Sequence, residues 1–569
     1  MTSSNQRATG RELHQAMFMP RSVAVVGASD DPAKTAGRPQ LFLRRAGFKG
    51  NVYPVNPKRE TVQNERAWPS IAALPEVPDH AYIVTPTEAV IAAVEECAAA
   101  GVRVVTILAS GFSEAGDEGL AREERLREIS ARTGIRIVGP SSLGVVNVHE
   151  RLLITANAAF AEPKLQPGKL FVASHSGSMI GALVSRGMER GVGFAGLVSV
   201  GNETDLSIGE ICAATLDDPN VGGYLLFLET IRQGEQLRAF AHAAAARGKP
   251  ILAFKLGRSA AAAELAVSHT GALAGEDDVA DAFLKDCGIA RVETFEALIE
   301  SLPLLARVPL QRKRHPRVGV VTTTGGGAAM VVDQLGIRGV TVEMPSKETF
   351  DRLAAAGVSA APGRIIDLTL AGTRYAVMKA ALDVMQSAPE FDLIVAVAGS
   401  SARFHPDLAV RPIIDSIDGP KPLAAFLVPE APEALARLMA AGVPNFRTPE
   451  SCADAIAAAF ARRAPKPFTP RPARPAHGNG RMLDEMEAYR VLDRLGVPHA
   501  QAIEIDATAP LGEISLPYPL AAKVLSADIP HKTDVGGVVL GIRNAEGLAQ
   551  AVSGIRSTVA QRRPGTVVD

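Results

Sequence analysis

The stretch Ser22–Ser29, SVAVVGAS, decides the fold of this chain, because an apolar, β-branched run ends at a glycine and is followed by a helical pattern. Runs that are hydrophobic at every position are typical of parallel strands buried on both faces. Similar runs follow at intervals that helices fill: NVYPVN (51–56), AYIVTP (81–86), VVTILAS (104–110) and RIVGPS (136–141). The pattern predicts an α/β fold with a doubly wound parallel sheet over residues 1–147.

The same alternation of strands and helices restarts twice further along the chain. LFVASHSG, after residue 169, belongs to a second unit predicted to cover residues 148–308. RVGVVTTTGGGAAMVVDQL opens a third unit, predicted to cover residues 316–463. Each unit again pairs short apolar runs with longer helical patterns, so we expect two more α/β layers.

The remainder of the chain has a different composition. Residues 464–480 are rich in Pro and Arg and have no apolar periodicity, which predicts a semi-rigid linker. Residues 481–569 contain a helical pattern, short strands and a Gly-Gly turn. We expect these last residues to form an incomplete final domain.

Composition and charge exclude several classes of function. Lys plus Arg (60) balance Asp plus Glu (61) in 569 residues, so the chain lacks the basic field that nucleic-acid binding requires. The four cysteines are far apart and fit a reducing compartment. The sequence contains neither a signal-peptide core nor eighteen consecutive apolar residues. We therefore expect a cytoplasmic protein without nucleic-acid or membrane partners.

The turn after the first strand, Gly27–Ser29, can bring main-chain N–H groups and a helix N-terminus to a phosphate. It lacks the GxGxxG pattern, and the second strand ends in Pro54–Lys58 without an acidic residue for the ribose of NAD. Lys58 suits an additional phosphate better than NAD. The alternative is a tight strand–helix turn with an exposed lysine.

Two further helix starts offer main-chain donors to an anion. Ser176–Ser178 and Gly325–Gly327 each lie between a predicted strand and a predicted helix. Three consecutive glycines favour neither element and are best explained by a group that approaches the backbone closely. Two such helix starts that face one another would form an anion cradle, whereas each alone is equally well explained as a capped helix start.

Two histidines have small neighbours that leave the ring accessible. His269 lies in SHTGALAG (268–275), and His531 lies in IPHKTDVGGV (529–538). A neutral imidazole is nucleophilic and can carry a covalent phosphoryl group. Two such sites suggest a relay, although a single loop histidine is more often a surface or capping residue.

Taken together and in order, these motifs resemble the NDP-forming acyl-CoA synthetase superfamily, which includes ADP-forming acetate–CoA ligases and succinyl-CoA synthetases. The resemblance runs from about Met19 to the end and rests on PRSVAVVGAS, VYPVNPK, GPSSLG, SVGNETD, LFLET, FKLGRS, SHTGALAG, TTTGGGAAMVVD and HKTDVGGV. It implies a Rossmann-like CoA-binding domain, two flavodoxin-like domains of the succinyl-CoA synthetase type and a partial ATP-grasp domain.

The resemblance also implies roles for individual residues. His269 would become phosphorylated, Glu229 would orient it, and His531 would be the second relay histidine. Lys523 would contact nucleotide phosphates. Coenzyme A would bind along Gly27, Ala28, Ser29, Asn56, Lys58, Val84, Thr85 and Pro86. The phosphoryl group would be held by Ser176, Gly177, Ser178, Gly325, Gly326 and Gly327.

The implied reaction converts ATP, a carboxylate and CoA into ADP, phosphate and acyl-CoA through phosphohistidine and an acyl phosphate. Its partners are a carboxylic acid, CoA and the nucleotide, and we expect a homodimer or a higher oligomer. The alternative from another class is a regulatory or acyltransferase-associated module that binds CoA or acyl-CoA without ligase activity. His269, Glu229 and His531 favour the ligase.

The sequence departs from the family pattern in three places. Ser141 and Ser142 follow Gly-Pro where the family usually has Asn-Cys or Asn-Thr, and His175 stands where the family usually has Gln. Ser141 and His175 are therefore candidates for the substrate site, although His175 could equally cap the helix. In addition, residues 481–569 match only the first part of an ATP-grasp domain. We expect the Mg²⁺ ligands outside this segment, predict no metal ligand within it, and expect this chain alone not to use ATP.

Overall fold

The computed structural model describes residues 7–161, 165–259, 261–262, 277–310, 315–469, 481–529 and 531–563. The chain divides into two compact units, Met1–Pro470 and Arg471–Asp569. The division falls inside the stretch predicted to be a linker, and the domain limits drawn from the sequence stay predictions. Within the described ranges, no helix is both long and apolar enough to cross a membrane.

The first sheet of the larger unit has five parallel strands in the order β2-β1-β5-β6-β7. Its strands and the small β3–β4 hairpin are β1 Ser22–Val26, β2 Asn51–Val55, β3 Thr61–Val62, β4 Glu65–Arg66, β5 His80–Ile83, β6 Val104–Ile107 and β7 Arg136–Val138. Its helices are α1 Gly10–Phe18, α2 Arg38–Ala46, α3 Thr87–Ala100 and α4 Gly116–Thr133. Along β1, Val23 and Val25 belong to one hydrophobic cluster and Ala24 and Val26 to another, so both faces are covered.

The second sheet has seven strands in the order β14-β13-β12-β10-β11-β8-β9, and β8 and β9 run antiparallel to their neighbours. The strands are β8 Gly144–Asn147, β9 Leu152–Thr155, β10 Pro167–Ser174, β11 Phe194–Ser199, β12 Gly223–Leu228, β13 Ile251–Lys255 and β14 Ala290–Val292. The helices are α5 Gly177–Met188, α6 Ile208–Ala214, α7 Gly234–Ala246, α8 Asp277–Asp286, α9 Phe295–Glu300 and α10 Leu302–Leu305. Strand β8 thus pairs within the second sheet although it precedes the boundary predicted after residue 147.

The third sheet is parallel, with the order β16-β15-β18-β19-β20 and β17 paired to β15. The strands are β15 Arg317–Thr322, β16 Thr341–Val342, β17 Ile365–Asp367, β18 Leu393–Ala398, β19 Leu423–Leu427 and β20 Asn445–Phe446. The helices are α11 Gly325–Ile337, α12 Lys347–Ala355, α13 Tyr375–Ser387, α14 Ser401–Phe404, α15 Pro406–Ile414, α16 Pro432–Ala440 and α17 Pro449–Ala461. Short 3₁₀ helices lie at Thr35–Gly37, Ser113–Ala115, Ala158–Ala161 and Thr369–Thr373.

One hydrophobic core joins the second and third sheets. Val172 of β10 and Val320 of β15 belong to the same buried cluster, together with Ile456 of α17. Glu300, at the end of α9, is 1% exposed and pairs with Arg190 at 2.8 Å. Because a shared apolar core resists shear, the two sheets are held as parts of one packed body.

The smaller unit contains α18 Glu485–Arg494, the antiparallel pair β21 Leu520–Lys523 and β22 Val538–Ile542, and α19 Ala545–Arg562. Val524 and Val559 lie in its own small hydrophobic cluster. Three parallel-rich sheets covered by helices, followed by this mixed unit, confirm the predicted α/β fold class.

Candidate functional site

The turn after β1 lies against the end of β5. Gly27 has φ = +89°, and a Cβ there would lie 2.9 Å from Thr85 Cγ2, so glycine is required for this close approach. The two strand ends therefore bring Gly27–Ser29 beside Val84–Pro86. Thr85 Oγ1 is buried and lacks a hydrogen-bond partner among the described residues, which fits a site that receives a polar ligand.

Asn56, just beyond β2, connects the same turn to the end of β2 through its side chain. Its Nδ2 donates to Ala28 O at 2.9 Å, and its Oδ1 accepts from the Lys58 N–H at 2.9 Å. Lys58 itself is exposed. The structure thus gathers at one sheet edge the residues predicted to bind CoA: Gly27, Ala28, Ser29, Asn56, Lys58, Val84, Thr85 and Pro86. A glycine turn, a buried unpaired hydroxyl and an exposed ammonium suit the phosphates and hydroxyls of that molecule.

The loop that connects the first sheet to the second packs against a loop that follows β11 of the second sheet. A Cβ at Gly201 would lie 1.9 Å from Pro140 O, and the Asn202 N–H donates to the same oxygen at 3.0 Å. Ser142 Oγ donates to Ser199 O at 2.5 Å. The close contact fixes the GPSSLG loop against the SVGNETD loop.

Ser141, a predicted substrate-site residue, lies at this junction beside a carboxylate. Its Oγ is 3.5 Å from Glu114 Oε1, and its φ is +60°. Glu114 also accepts hydrogen bonds from the Gly111 N–H at 2.7 Å and from Asn202 Nδ2 at 2.9 Å. Burial alone would raise the pKa of Glu114, but these donors outweigh it and hold the pKa below its ordinary value. Ser141 therefore lies beside an ionised acid.

His175, the other predicted substrate-site residue, is buried between two acidic residues. Its Nδ1 accepts a hydrogen bond from the Glu229 main-chain N–H at 3.0 Å. Its Nε2 lies 3.3 Å from Glu203 Oε2, an electrostatic contact without good hydrogen-bond alignment. The two ring nitrogens thus face protein groups on different strand ends.

The helix start at Ser176–Ser178 is partly open to solvent. Ser176 Oγ and Ser178 Oγ are 3.1 Å apart, and Ser178 is exposed. A Cβ at Gly177 would lie 2.6 Å from Leu143 Cγ, so the glycine is required by packing against the GPSSLG loop. The hydroxyls and free N–H groups of the first helical turn are suited to an anion.

Glu229 and Lys255 end two neighbouring strands. Leu228, just before Glu229, is paired with Lys255 in the parallel register of β12 and β13. Lys255 is 5% exposed, and its Nζ donates to Leu256 O. Burial lowers the pKa of Lys255, whereas Asp277 and Glu229 act in the opposite direction. A buried ammonium and a carboxylate therefore lie at one sheet edge. His269 belongs to residues 263–276, which lie outside the described part of the chain.

The helix start on the third sheet is built differently. The Thr324 N–H donates to Thr322 Oγ1 at 2.9 Å, and that hydroxyl in turn donates to Thr324 O at 2.9 Å. A Cβ at Gly325 would lie 3.0 Å from Asp367 Oδ2, and one at Gly327 would lie 2.2 Å from Val428 Cγ2. A Cβ at Gly326 would meet nothing within 4 Å. Only Gly326 of these three glycines faces open space.

Lys523, in the smaller unit, is paired with an acid. Its Nζ donates to Glu485 Oε1 at 2.6 Å, and Lys532 Nζ lies 3.4 Å from Glu485 Oε2. This ion pair raises the pKa of Lys523. Glu485 and Lys523 line a cavity of about 530 Å³ together with Tyr489. His531 is exposed, and its carbonyl accepts from the Asp534 N–H at 3.3 Å.

The sequence did not single out Glu114, Glu203 or Lys255. A signal was available for Lys255, because a charged residue directly ends a run that is otherwise apolar. Glu114 lies in a loop where acidic residues are common, and the SVGNETD motif around Glu203 does not indicate which of its residues belongs to the site. Within the described residues, no group of three or more His, Cys, Asp or Glu side chains could hold a metal ion.

Models of three protein families match successive parts of the chain. Residues 21–148 match a CoA binding domain, residues 167–305 match a succinyl-CoA ligase like flavodoxin domain, and residues 475–569 match an ATP-grasp domain. These matches confirm the predicted Rossmann-like, flavodoxin-like and ATP-grasp architecture.

Individual relatives are similar over most of the chain. The ADP-forming acetate–CoA ligase I of Archaeoglobus fulgidus is 28% identical over 96% of this chain and 80% of its own length. The alpha subunit of the ADP-forming acetate–CoA ligase I of Pyrococcus furiosus is 31% identical over 78% of this chain and 97% of its own length.

A solved structure is also similar. The dinucleotide forming acetyl-coenzyme A synthetase 1 of Candidatus Korarchaeum cryptofilum, in complex with phosphate and ADP, is 28% identical and superposes with a TM-score of 0.68. The match covers 79% of this chain and 96% of that one.

Proposed function

This chain belongs to the ADP-forming acid–CoA ligases, and we propose that it activates its carboxylic acid through a phosphohistidine at His269. Its small-molecule substrates are a carboxylic acid, CoA and ATP, and the reaction releases ADP and phosphate. The alternative of a regulatory CoA-binding module is not favoured, because the relatives are ligases. The homodimeric or higher assembly and the cytoplasmic location remain predictions.

The proposed route overcomes the poor reactivity of a carboxylate, whose leaving group would be oxide. ATP phosphorylates the His269 imidazole and ADP leaves. A carboxylate oxygen then attacks the phosphorus, the N–P bond breaks, and an acyl phosphate forms while the imidazole is regenerated. The CoA sulfur attacks the acyl carbon, the bond to the phosphate oxygen breaks, and the thiol proton is lost.

The observation that carries the proposal is the position of Glu229. It directly follows β12, its N–H contacts the residue before the helix start at Ser176–Ser178, and the buried Lys255 ends the neighbouring strand. A carboxylate bonded to one ring nitrogen of His269 would fix the tautomer and stabilise a cationic phosphoimidazole. The helix start would supply donors to the phosphoryl oxygens.

The remaining assignments follow from the same scheme. Gly325–Gly327 would hold the phosphoryl group from a second side, and Ser141 would contact the carboxylic acid. His531 would pass the phosphoryl group between the nucleotide site and His269. Lys523 would contact nucleotide phosphates. Its ammonium group would then leave Glu485 and pair with a phosphate oxygen.

The replacement His269→Asn tests the phosphohistidine. The 569-residue chain is incubated with γ-labelled ATP, and in parallel with acetyl-CoA and labelled phosphate, and acid-labile label on the protein is counted. The variant should lose the label in every arm in which the wild type acquires it. His14→Asn, which alters a histidine–aspartate contact of 3.4 Å between His14 and Asp218, is the matched control. Unchanged labelling of the His269 variant would exclude this role.

The acid itself is identified by incubating the chain with labelled phosphate and a panel of acyl-CoAs and counting acid-labile label on the protein. At least one acyl-CoA should label the chain, and the label should require His269. If no acyl-CoA does so while the chain binds CoA, the regulatory alternative becomes the better description.

A further inference from the structure

The His175 ring is enclosed by protein on both sides. Its side chain is 5% exposed, as is that of Glu203. The Nδ1 atom receives the Glu229 N–H at 3.0 Å, and Nε2 faces the Glu203 carboxylate at 3.3 Å. Nδ1 is occupied by a main-chain donor, and the buried Nε2 faces the Glu203 carboxylate without an aligned hydrogen bond, so the ring contributes through the groups that enclose it.

The contact with Glu229 determines which tautomer the ring adopts. A nitrogen that accepts a hydrogen bond carries no proton, so the proton of the neutral ring lies on Nε2. The nearest charged atom to that nitrogen is Glu203 Oε2, at 3.3 Å. Protonation of Nδ1 would place two donors opposite one another and would break the bond to Glu229.

Glu203 is itself held firmly in place. It has φ = +53°, unusual for a residue with a side chain, and its Oε1 accepts from the Ile208 N–H at 2.7 Å. Burial would raise the pKa of Glu203, but His175 and the Ile208 amide outweigh burial and hold the pKa below its ordinary value. The acid next to Nε2 is therefore a fixed anion that favours the Nε2–H tautomer.

We propose that His175 is a positioning residue that holds the main chain of Glu229, and that Glu203 fixes its tautomer for this purpose. The proposal rests on the proposed function, since Glu229 is the group assigned to orient His269. It gives His175 a role other than binding the carboxylic acid or capping the helix. It also couples three segments, because His175 precedes α5, Glu203 lies in the SVGNETD loop and Glu229 follows β12.

The functional consequence follows from geometry. The main-chain position of residue 229 sets where its carboxylate lies relative to the reactive imidazole. A displacement of 1 Å in such a group costs about 10²-fold in rate. Loss of the Nδ1 contact should therefore reduce turnover and leave the binding of CoA and phosphate nearly unchanged.

A matched pair of substitutions isolates the Nδ1 contact. Asn and Leu have nearly the same branched shape, but only Asn places an acceptor near the position of Nδ1. We expect His175→Leu to lower kcat by about 10²-fold with KM for acetyl-CoA and phosphate within about twofold of wild type. His175→Asn should recover at least about tenfold of that loss. Glu203→Gln, which removes the charge that sets the tautomer, should fall between them.

The assay is acid-labile labelling of the full chain from acetyl-CoA and labelled phosphate, because this label forms only when the acyl phosphate transfers its phosphoryl group to His269. The maximal rate constant of labelling is taken as kcat and the half-saturating concentrations as KM, and the midpoint of thermal unfolding is recorded for each variant. His14→Asn is the control for altering a histidine–carboxylate contact elsewhere. Equal kcat for the Asn and Leu variants would overturn the proposal, as would a raised KM for acetyl-CoA with unchanged kcat, which indicates substrate binding.

Two further measurements keep the outcome decisive. If His175→Leu does not fold, the proposal is judged on His175→Asn and Glu203→Gln, and it fails if Glu203→Gln keeps the wild-type kcat. Labelling of His269→Asn distinguishes a failure of the proposed function from a failure of the positioning role of His175. Label that persists in the His269→Asn variant overturns the proposed function itself. Lost label in His269→Asn together with wild-type kcat in His175→Leu overturns only the positioning role.

Discussion

The two glycine-containing helix starts, Ser176–Ser178 on the second sheet and Gly325–Gly327 on the third, have similar local sequences but different surroundings. The first lies among buried ionisable groups: His175, Glu203 and Lys255. The second is stabilised by hydroxyl contacts between Thr322 and Thr324 and has Asp367 beside it. A strand–turn–helix pattern therefore supplies main-chain donors, whereas the acid–base groups come from other strand ends.

The reason why glycine is needed also differs among the glycines of the two helix starts. Gly177 avoids Leu143, and Gly327 avoids Val428, so packing within the protein accounts for both. Gly326 has no protein atom within 4 Å of the position of a Cβ. Of the described glycines in these two turns, Gly326 is the one whose lack of a side chain leaves room for an external group.

The largest effect should come from replacing Lys255, which tests whether the buried charges distinguish the first helix start from the second. Lys255→Met removes the buried ammonium next to Glu229 and should lower the rate of phosphohistidine formation by about 10²-fold. The midpoint of thermal unfolding should not fall, because burying an ammonium is itself unfavourable. Lys169→Met, an exposed lysine on β10, is the control. An unchanged rate would show that the charge at the first helix start does not contribute.

A second effect concerns packing at the third sheet. In Gly327→Ala, the new Cβ would lie 2.2 Å from Val428 Cγ2, and this overpacking should lower the free energy of unfolding by about 1–3 kcal/mol. Urea unfolding of the full chain measures the difference. Combining the change with Val428→Ala should restore most of the loss, and a failure of this rescue would contradict the steric explanation.

The charge of Glu203 should make stability depend on pH. Because its folded pKa is depressed, the ionised carboxylate stabilises the fold above its ordinary pKa of 4.5, and this contribution is lost as the pH falls through the lower folded pKa. Glu203→Gln should therefore be less stable than wild type at neutral pH, and the difference should shrink below pH 4.5. Unfolding is measured at several pH values, with the exposed Glu60→Gln as control. A difference that does not vary with pH would refute the assignment.

The smallest effect should come from Gly326. Alanine is the better helix former, so Gly326→Ala should raise the free energy of unfolding by about 0.5–1 kcal/mol. If a phosphoryl group approaches the backbone there, the same variant should lose activity although it is more stable. Wild-type activity in a stabilised variant would exclude a phosphoryl contact at the helix start of the third sheet. The helix start at Ser176–Ser178 would then be the better candidate for the anion site.

Part of the site was predictable from the sequence because parallel strands end at one edge. Gly27, Asn56 and Thr85 each follow an apolar run, and their meeting at the carboxyl ends of β1, β2 and β5 follows from the parallel order. The role of His175 was not predictable, since its small neighbours fit a cap, a ligand or a buried residue equally well. Glu114 carries no local signal, and the SVGNETD motif that contains Glu203 indicates the family but not a contact with His175.

The sequence by itself determined the strand–turn–helix units, because the apolar period and the turn glycines act between residues that are close in the chain. Its ordered motifs also determined the family. Only the tertiary structure decided that His175 faces Glu229, 54 residues away, and that Glu203 lies on the other side of its ring. Those contacts depend on which strands become neighbours, and a loop acid becomes a fixed anion only when several chain segments bury it together.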